Sequence, residues 1–171
     1  MRARLGWGVV AALALALLGS PAHAFRTPFG DRVYEAIERG LAYLRTQEAD
    51  GSIGGETTPL AGLAIMEMRA SAHWGAPSKG YRNSTADDQQ RLQRMARWVL
   101  TNINGLRNGS PDAYRTGSGL LFLSLYRQTG GPNQVGAART VDEGIASGVA
   151  ALQGAQSQGN CSEGGWNYTN P

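Results

Sequence analysis

Five stretches of the chain have the hydrophobic periodicity of α-helices, and two patterns alternate among them. The first, third and fifth are amphipathic, with apolar residues at spacings of three and four. The second and fourth are apolar nearly all round, which is typical of helices that are buried on most sides. The predicted helices span residues 31–47, 58–71, 87–103, 116–128 and 141–156. The pattern therefore predicts an all-α protein.

Residues with capping preferences stand at the starts of these helices. Thr58, which precedes a proline, is a typical N-cap for the second helix. Thr85 with Asp88, and Thr140 with Glu143, have the spacing of a capping box at the third and fifth helices. Connections rich in Gly, Pro, Ser and Asn separate the helices, so consecutive helices are expected to pair as antiparallel hairpins.

The sequence repeats itself with a period of slightly above 50 residues. A shift of 57 positions places Gly62 on Gly119. A shift of 108 positions aligns the first helix with the fifth at four places: Ile37 with Ile145, Gly40 with Gly148, Leu41 with Val149, and Leu44 with Leu152. One helical hairpin per period predicts a stack of α/α hairpins, and chance similarity between two amphipathic helices is the alternative.

The first 24 residues have the organisation of a secretory signal peptide. Two arginines near the start precede a short apolar stretch, residues 8–18, and an Ala-His-Ala triplet ends at Ala24. The apolar stretch is shorter than the roughly 20 residues of a membrane-spanning helix. We predict cleavage before Phe25, a mature domain of residues 25–171, a secreted or periplasmic location, and no stable membrane insertion after cleavage. An uncleaved anchor or a buried N-terminal helix is the alternative.

Composition narrows the chemistry of the mature domain. Signal removal leaves 14 basic and 13 acidic residues, and the basic residues are scattered along the chain, so no nucleic-acid partner is expected. One cysteine, Cys161, and one histidine, His73, remain. A single cysteine excludes an intramolecular disulfide, and these two residues alone do not make a zinc site. We therefore predict neither a metal nor a cofactor.

The end of the first helix carries a motif that resembles the QW repeat of squalene and oxidosqualene cyclases. That repeat has a basic residue and Gly, then an aromatic residue or Leu, then Gln, and after a short gap Gly-x-Trp. The matching residues here are Arg39, Gly40, Gln47 and Gly51, with Ile53 in place of Trp. The fifth helix has a second copy made of Gly148, Gln156, Gly164 and Trp166, with Ser147 in place of the basic residue.

By these motifs the chain is similar to the terpenoid-cyclase and protein-prenyltransferase class of α/α-toroids. The resemblance implies that the two apolar helices form an inner ring, that the three amphipathic helices form an outer ring, and that the motif residues tie outer helices together. A closed toroid has more hairpins than the two and a half found here. A fragment of a longer protein is therefore expected, with ring closure by oligomerisation as the alternative. Ile145, Val149, Leu152 and Trp166 should then be only partly covered.

The catalytic signatures of this class are not recognisable in the chain. Cyclases protonate an alkene with the central Asp of Asp-x-Asp-Asp, and the nearest stretch, residues 85–88, has Thr85 in place of the first Asp. Asp87 and Asp88 also suit the positive end of a helix dipole, which is the simpler interpretation. Neither the Asp, Cys and His zinc ligands of prenyltransferases nor the magnesium motif Asp-Asp-x-x-Asp is matched.

The remaining polar group of interest stands at the start of the second apolar helix. Tyr114, Arg115 and Thr116 form a candidate site for an anionic ligand, with a structural role for Arg115 as the alternative. We expect a non-catalytic protein that binds an unknown ligand or protein in its central funnel or on its rim. A terpenoid-cyclase-like or polysaccharide-lyase-like enzyme with catalytic residues beyond residue 171, and a structural repeat domain of an envelope protein, are the alternatives.

Overall fold

The computed structural model describes residues 27–73, 75–110, 112–157 and 164–166. This part of the chain is all-α: it has no β-strand, only two isolated bridges. Its helices are α1 (Pro28–Thr46), α2 (Thr58–Glu67), α3 (Ala86–Asn102), α4 (Asn104–Arg107), α5 (Ala113–Gln128) and α6 (Val141–Gly154), and a 3₁₀ turn, Gly55–Thr57, precedes α2. None of these helices is both long and apolar enough to cross a bilayer. The predicted signal peptide, its cleavage site and Cys161 lie outside the described residues.

All five predicted helices are present, but some of their ends differ from the prediction. The second was expected to reach residue 71 and instead ends at Glu67, because Met68 takes an extended conformation and its carbonyl accepts a bond from the Lys79 N–H at 2.8 Å. The fourth was expected to begin at residue 116. It begins at Ala113, because the Asp112 carboxylate caps it by accepting from the Arg115 N–H at 3.0 Å.

The three predicted caps have three different outcomes. Thr140 and Glu143 form the full capping box, in which each side chain accepts from the other residue's backbone N–H. At α3 only half of the box forms, because the Asp88 carboxylate bonds elsewhere. The prediction for Thr58 is wrong: Thr57 holds the N-cap position, and the buried Thr58 hydroxyl accepts from the Ile53 N–H at 2.9 Å.

The two apolar helices, α2 and α5, lie side by side and run in the same direction. At their starts, Arg115 of α5 forms an ion pair with Glu56, which lies in the 3₁₀ turn before α2. Midway, Gly62 of α2 lies against the ring of Phe122 of α5. Beyond their last turns, the Thr129 hydroxyl accepts from the Tyr81 N–H at 2.8 Å, and the loop that holds Tyr81 is bonded to the end of α2. The two helices are therefore parallel, because their starts, their middles and their ends lie beside one another in turn.

The remaining long helices cover this pair on one side. α3 packs against both α2 and α5, and α6 packs against α4 and α5. The largest fully buried side chains come from α2, α3 and α5: Ile65, Met66, Leu92, Met95, Phe122 and Tyr126. α1 is the least covered helix, because Leu41 is its one buried residue and Phe29, Val33 and Ile37 are exposed.

Glycines allow neighbouring helices to approach closely. A methyl group on Gly62 would overlap the buried Phe122 ring and lie 2.7 Å from its Cδ2 atom. A methyl group on Gly148 of α6 would lie 2.5 Å from a side-chain carbon of Leu106 in α4. Real Cβ atoms do not approach other carbons so closely, so both positions require glycine for this packing.

Candidate functional site

The three residues predicted to bind an anion do not form one open site. Arg115 is paired with Glu56 and with Asp112, at 3.3 Å from the latter, so two carboxylates already match its charge. Thr116 is fully buried, whereas Tyr114 is exposed. Arg115 instead joins the first turn of α5 to the 3₁₀ turn before α2 through its ion pair with Glu56.

The first QW-like motif lies at the end of α1 and in the loop that follows. Arg39 and Gly40 are exposed, and a methyl group on Gly40 would meet no atom within 4 Å. Gln47 does not reach a neighbouring helix, since its amide donates to the hydroxyl of the preceding threonine at 3.0 Å. Gly51 is buried with φ of +85°, and a methyl group there would lie 2.6 Å from the Arg94 carbonyl carbon. Gly51 therefore brings the end of α1 against α3.

The second QW-like motif folds residues 164–166 back onto the end of α6. The Gln156 amide donates to the Gly164 carbonyl at 2.7 Å, and the Trp166 indole N–H donates to the Leu152 carbonyl at 2.7 Å. Leu152 lies in the last turn of α6, so Trp166 satisfies a carbonyl that the helix itself leaves unpaired. Trp166 remains 51% exposed, and Gly148 packs one turn earlier against α4.

A cluster of ion pairs joins the end of α1 to the start of α3. The Asp88 carboxylate, only 6% exposed, accepts two bonds from Arg45 at 2.9 and 2.8 Å and one from Arg91 at 2.8 Å. The Glu48 carboxylate, 7% exposed, accepts two bonds from Arg94 at 3.0 and 2.7 Å. Both carboxylates are thus nearly removed from water, and each is held by a guanidinium group in a two-bond geometry.

The electrostatics of this cluster decide the role of Asp88. Burial, the largest single influence, acts to raise the pKa of Asp88, but the bonds and charges of Arg45 and Arg91 together outweigh it and lower the pKa. For Glu48 the bond from Arg94 is the largest influence, and its pKa is also lowered. Asp87, which occupies the place of the central, proton-donating Asp of the cyclase motif, is exposed, and the next residue, Asp88, is held as a carboxylate by these partners. Asp88 is therefore an ion-pair residue of the helix junction.

An apolar surface runs along the exposed sides of α2 and α5. Leu60 is 41% exposed and Leu121 is 65% exposed, although both lie within helices. Ala64 and Tyr114 are also exposed and stand four and seven residues from them, which places each pair on one side of its helix. The opposite sides pack into the core with α3. We call the surface formed by Leu60, Ala64, Tyr114 and Leu121 the inner-helix face.

Comparisons with known proteins add no family or neighbour to this description. A scan of protein-family models, a search of curated proteins and a search of solved structures found no match to the chain. Within the described residues, no three His, Cys, Asp or Glu side chains stand close enough to hold a metal ion. The function of the chain is therefore inferred from its own geometry.

Proposed function

We propose that the chain is an exported, non-catalytic α/α-repeat protein that binds an apolar ligand or partner surface on the inner-helix face. The observation that supports this function is the exposure of Leu60 and Leu121 on two neighbouring helices. An α/α-toroid accounts for the arrangement, because the inner helices of such a ring run in the same direction and turn one side toward a central funnel. The inner-helix face corresponds to that funnel wall.

The exposed apolar area is large enough to contribute to binding. The exposed fractions of Leu60 and Leu121 together amount to about one whole leucine. Covering one leucine side chain contributes about 1.5–3 kcal/mol, which corresponds to roughly a tenfold to hundredfold gain in affinity. The Glu56–Arg115 pair lies at one end of this surface and gives it a polar border.

The ion-pair cluster supports a non-catalytic function for the protein. Asp87, the residue at the place of the cyclase acid, is exposed, and Asp88 beside it is held as a carboxylate by Arg45 and Arg91. Asp88 belongs to the junction between α1 and α3, whereas the inner-helix face belongs to α2 and α5. The enzyme alternatives gain no support from the described residues.

The test measures binding of N-phenyl-naphthylamine, an uncharged dye whose fluorescence rises in apolar sites. We expect saturable binding to the purified protein and its loss in the double variant Leu60→Gln, Leu121→Gln. The matched control is Val33→Gln, Ile37→Gln, which removes two residues of comparable exposure from α1. Equal loss in both double variants, or unchanged dye binding in the first, contradicts the proposal. Circular dichroism of each variant verifies that its helices remain folded.

A further inference from the structure

An open cleft on another side of the molecule is lined by arginines. It has a volume of about 390 Å³ and lies between the second half of α3, the short helix α4 and residues 136–139. Small-molecule sites typically have volumes of roughly 300–1,000 Å³, so the cleft is large enough for one small ligand. We call it the arginine cleft; the lining residues that matter here are Asp50, Arg97, Trp98, Asn102, Arg107 and Arg139.

The three arginines come from three elements that only the fold brings together. Arg97 lies in α3, Arg107 ends α4, and Arg139 stands just before α6. No described Asp or Glu forms an ion pair with any of the three, and the one recorded side-chain partner of Arg107 is the neutral amide of Asn104, at 2.9 Å. Five other arginines do pair with carboxylates: Arg45, Arg91, Arg94, Arg115 and Arg127.

The charge of the cleft is unbalanced. Asp50 is the one carboxylate in its lining, against three guanidinium groups. Asp50 also acts on Arg94, whose pKa it helps to raise, so its charge is shared with a residue outside the cleft. Arg139 similarly acts on Glu143, which lies outside the cleft and whose carboxylate accepts from the Thr140 N–H. An anion in the cleft would reduce the mutual repulsion of the three cations.

The apolar side chains that line the arginine cleft are suited to contact the carbon skeleton of a ligand. Trp98 is half-buried, and Leu100 beside it is buried, so the cleft has an aromatic and aliphatic wall. The Asn102 amide group donates to the backbone carbonyl of Trp98, one turn earlier in α3, at 2.9 Å. Aromatic faces favour contact with flat or aliphatic groups, and guanidinium groups bind planar or tetrahedral anions through paired N–H donors.

We propose that the arginine cleft binds a small organic polyanion, with its acidic groups on Arg97, Arg107 and Arg139 and its carbon skeleton against Trp98. Carboxylate and phosphate groups share the chemistry that guanidinium recognises, so both are candidate acidic groups. The site is separate from the inner-helix face and does not depend on the function proposed for that face.

Isothermal titration calorimetry of the purified protein tests the proposal with citrate as a tricarboxylate, fructose bisphosphate as a phosphate ester, and acetate as a monoanion. At least one polyanion should bind about tenfold or more tightly than acetate, and the tighter of the two identifies the acidic group. Arg97→Gln, Arg107→Gln and Arg139→Gln should each weaken binding by roughly tenfold to a hundredfold, the loss expected for hydrogen bonds to a charged group.

Controls separate binding in the arginine cleft from general attraction of anions to exposed arginines. Arg32→Gln and Arg39→Gln remove the same charge from exposed positions on α1 and should change the affinity by less than about twofold. The indole N–H resonance of Trp98 should shift on titration, while that of Trp166 stays in place. The proposal is overturned if neither polyanion binds more tightly than acetate, if the control variants weaken binding as much as the cleft variants, or if the Trp98 resonance does not move.

Discussion

Replacing Gly62 with alanine tests whether α2 and α5 depend on direct contact between a backbone and an aromatic ring. The added methyl group would lie 2.7 Å from Cδ2 and 3.1 Å from Cζ of Phe122. The Phe122 ring is fully buried and packs at 6.1 Å, centroid to centroid, on Tyr126. The ring therefore has no solvent-filled space into which it can move, and either the two helices separate or the core rearranges.

Two effects of opposite sign determine how much Gly62→Ala changes the free energy of unfolding. Alanine is a better helix residue than glycine by about 0.5–1 kcal/mol. Overpacking a well-filled core costs roughly 1–3 kcal/mol, and the closeness of the ring places Gly62→Ala in the upper part of that range. The net loss in the free energy of unfolding should be about 1–2 kcal/mol. For a domain of this size it corresponds to a fall in Tm of roughly 2–8 °C.

Urea and thermal unfolding, followed by far-ultraviolet circular dichroism, measure this loss. Gly117→Ala in α5 and Gly40→Ala in α1 are matched controls, because a methyl group at either position meets no atom within 4 Å. Both controls should raise the free energy of unfolding by about 0.5–1 kcal/mol through helix propensity alone. Opposite signs at Gly62 and Gly117 are therefore expected from the same chemical change.

A double-mutant cycle identifies the partner of the added methyl group. Phe122→Leu creates space beside Gly62, so Gly62→Ala should cost less in that background than in the wild type. The reasoning is refuted if Gly62→Ala stabilises the protein as much as Gly117→Ala does. It is also refuted if the two substitutions at Gly62 and Phe122 prove additive.

Acid should weaken the fold through Asp88 and Glu48, whose pKa values are lowered in the folded state. The stability that they contribute is fully present above their ordinary pKa of about 4 and is lost as the pH falls through the lower folded values. Urea midpoints should fall less steeply with acid in Arg45→Gln than in the wild type, and equal slopes would exclude this cause. Thr140→Ala should lower the free energy of unfolding by about 1 kcal/mol, whereas Thr140→Ser should leave it nearly unchanged. Mass spectrometry of exported protein should find Phe25 at the N-terminus; a membrane-bound chain that starts at Met1 contradicts the predicted cleavage.

The helices that periodicity predicted are the five long ones, whose apolar residues recur over several turns. α4 was placed within a connection because four residues, Asn104–Arg107, are too few to show a period. The start of α5 was placed too late because the polar residues before Thr116 interrupt the apolar pattern, while Asp112, three residues before Arg115, is the capping signal that marks the true start. Local patterns thus identified the long helices, whereas a capping side chain set the start of α5 and a backbone bond from the following loop set the end of α2.

The surfaces that carry the proposed sites depend on contacts that a local pattern does not contain. An all-round apolar helix conceals which of its sides is exposed, so Leu60 and Leu121 did not stand out from their neighbours. Arg97, Arg107 and Arg139 are 10 and 32 positions apart, and the partners in the ion-pair cluster are 43 and 46 apart. Glu56, which forms an ion pair with Arg115, is also distant from it in sequence, so the sequence alone left both the anion-binding and the structural role of Arg115 open.

The uneven attachment of α1 has a mechanical consequence. Leu41 and the bonds of Arg45 hold the last turns of this helix, whereas Phe29, Val33 and Ile37 are exposed in its first half. The helix is therefore held mainly through its last turns. Tyr34 is the one side chain of its first half that packs on the core, so separating the first turns would expose little buried area. The predicted cleavage site before Phe25 lies just before these first turns. Cleavage at that point would leave the contacts of Leu41 and Arg45 unchanged, because both residues lie near the opposite end of α1.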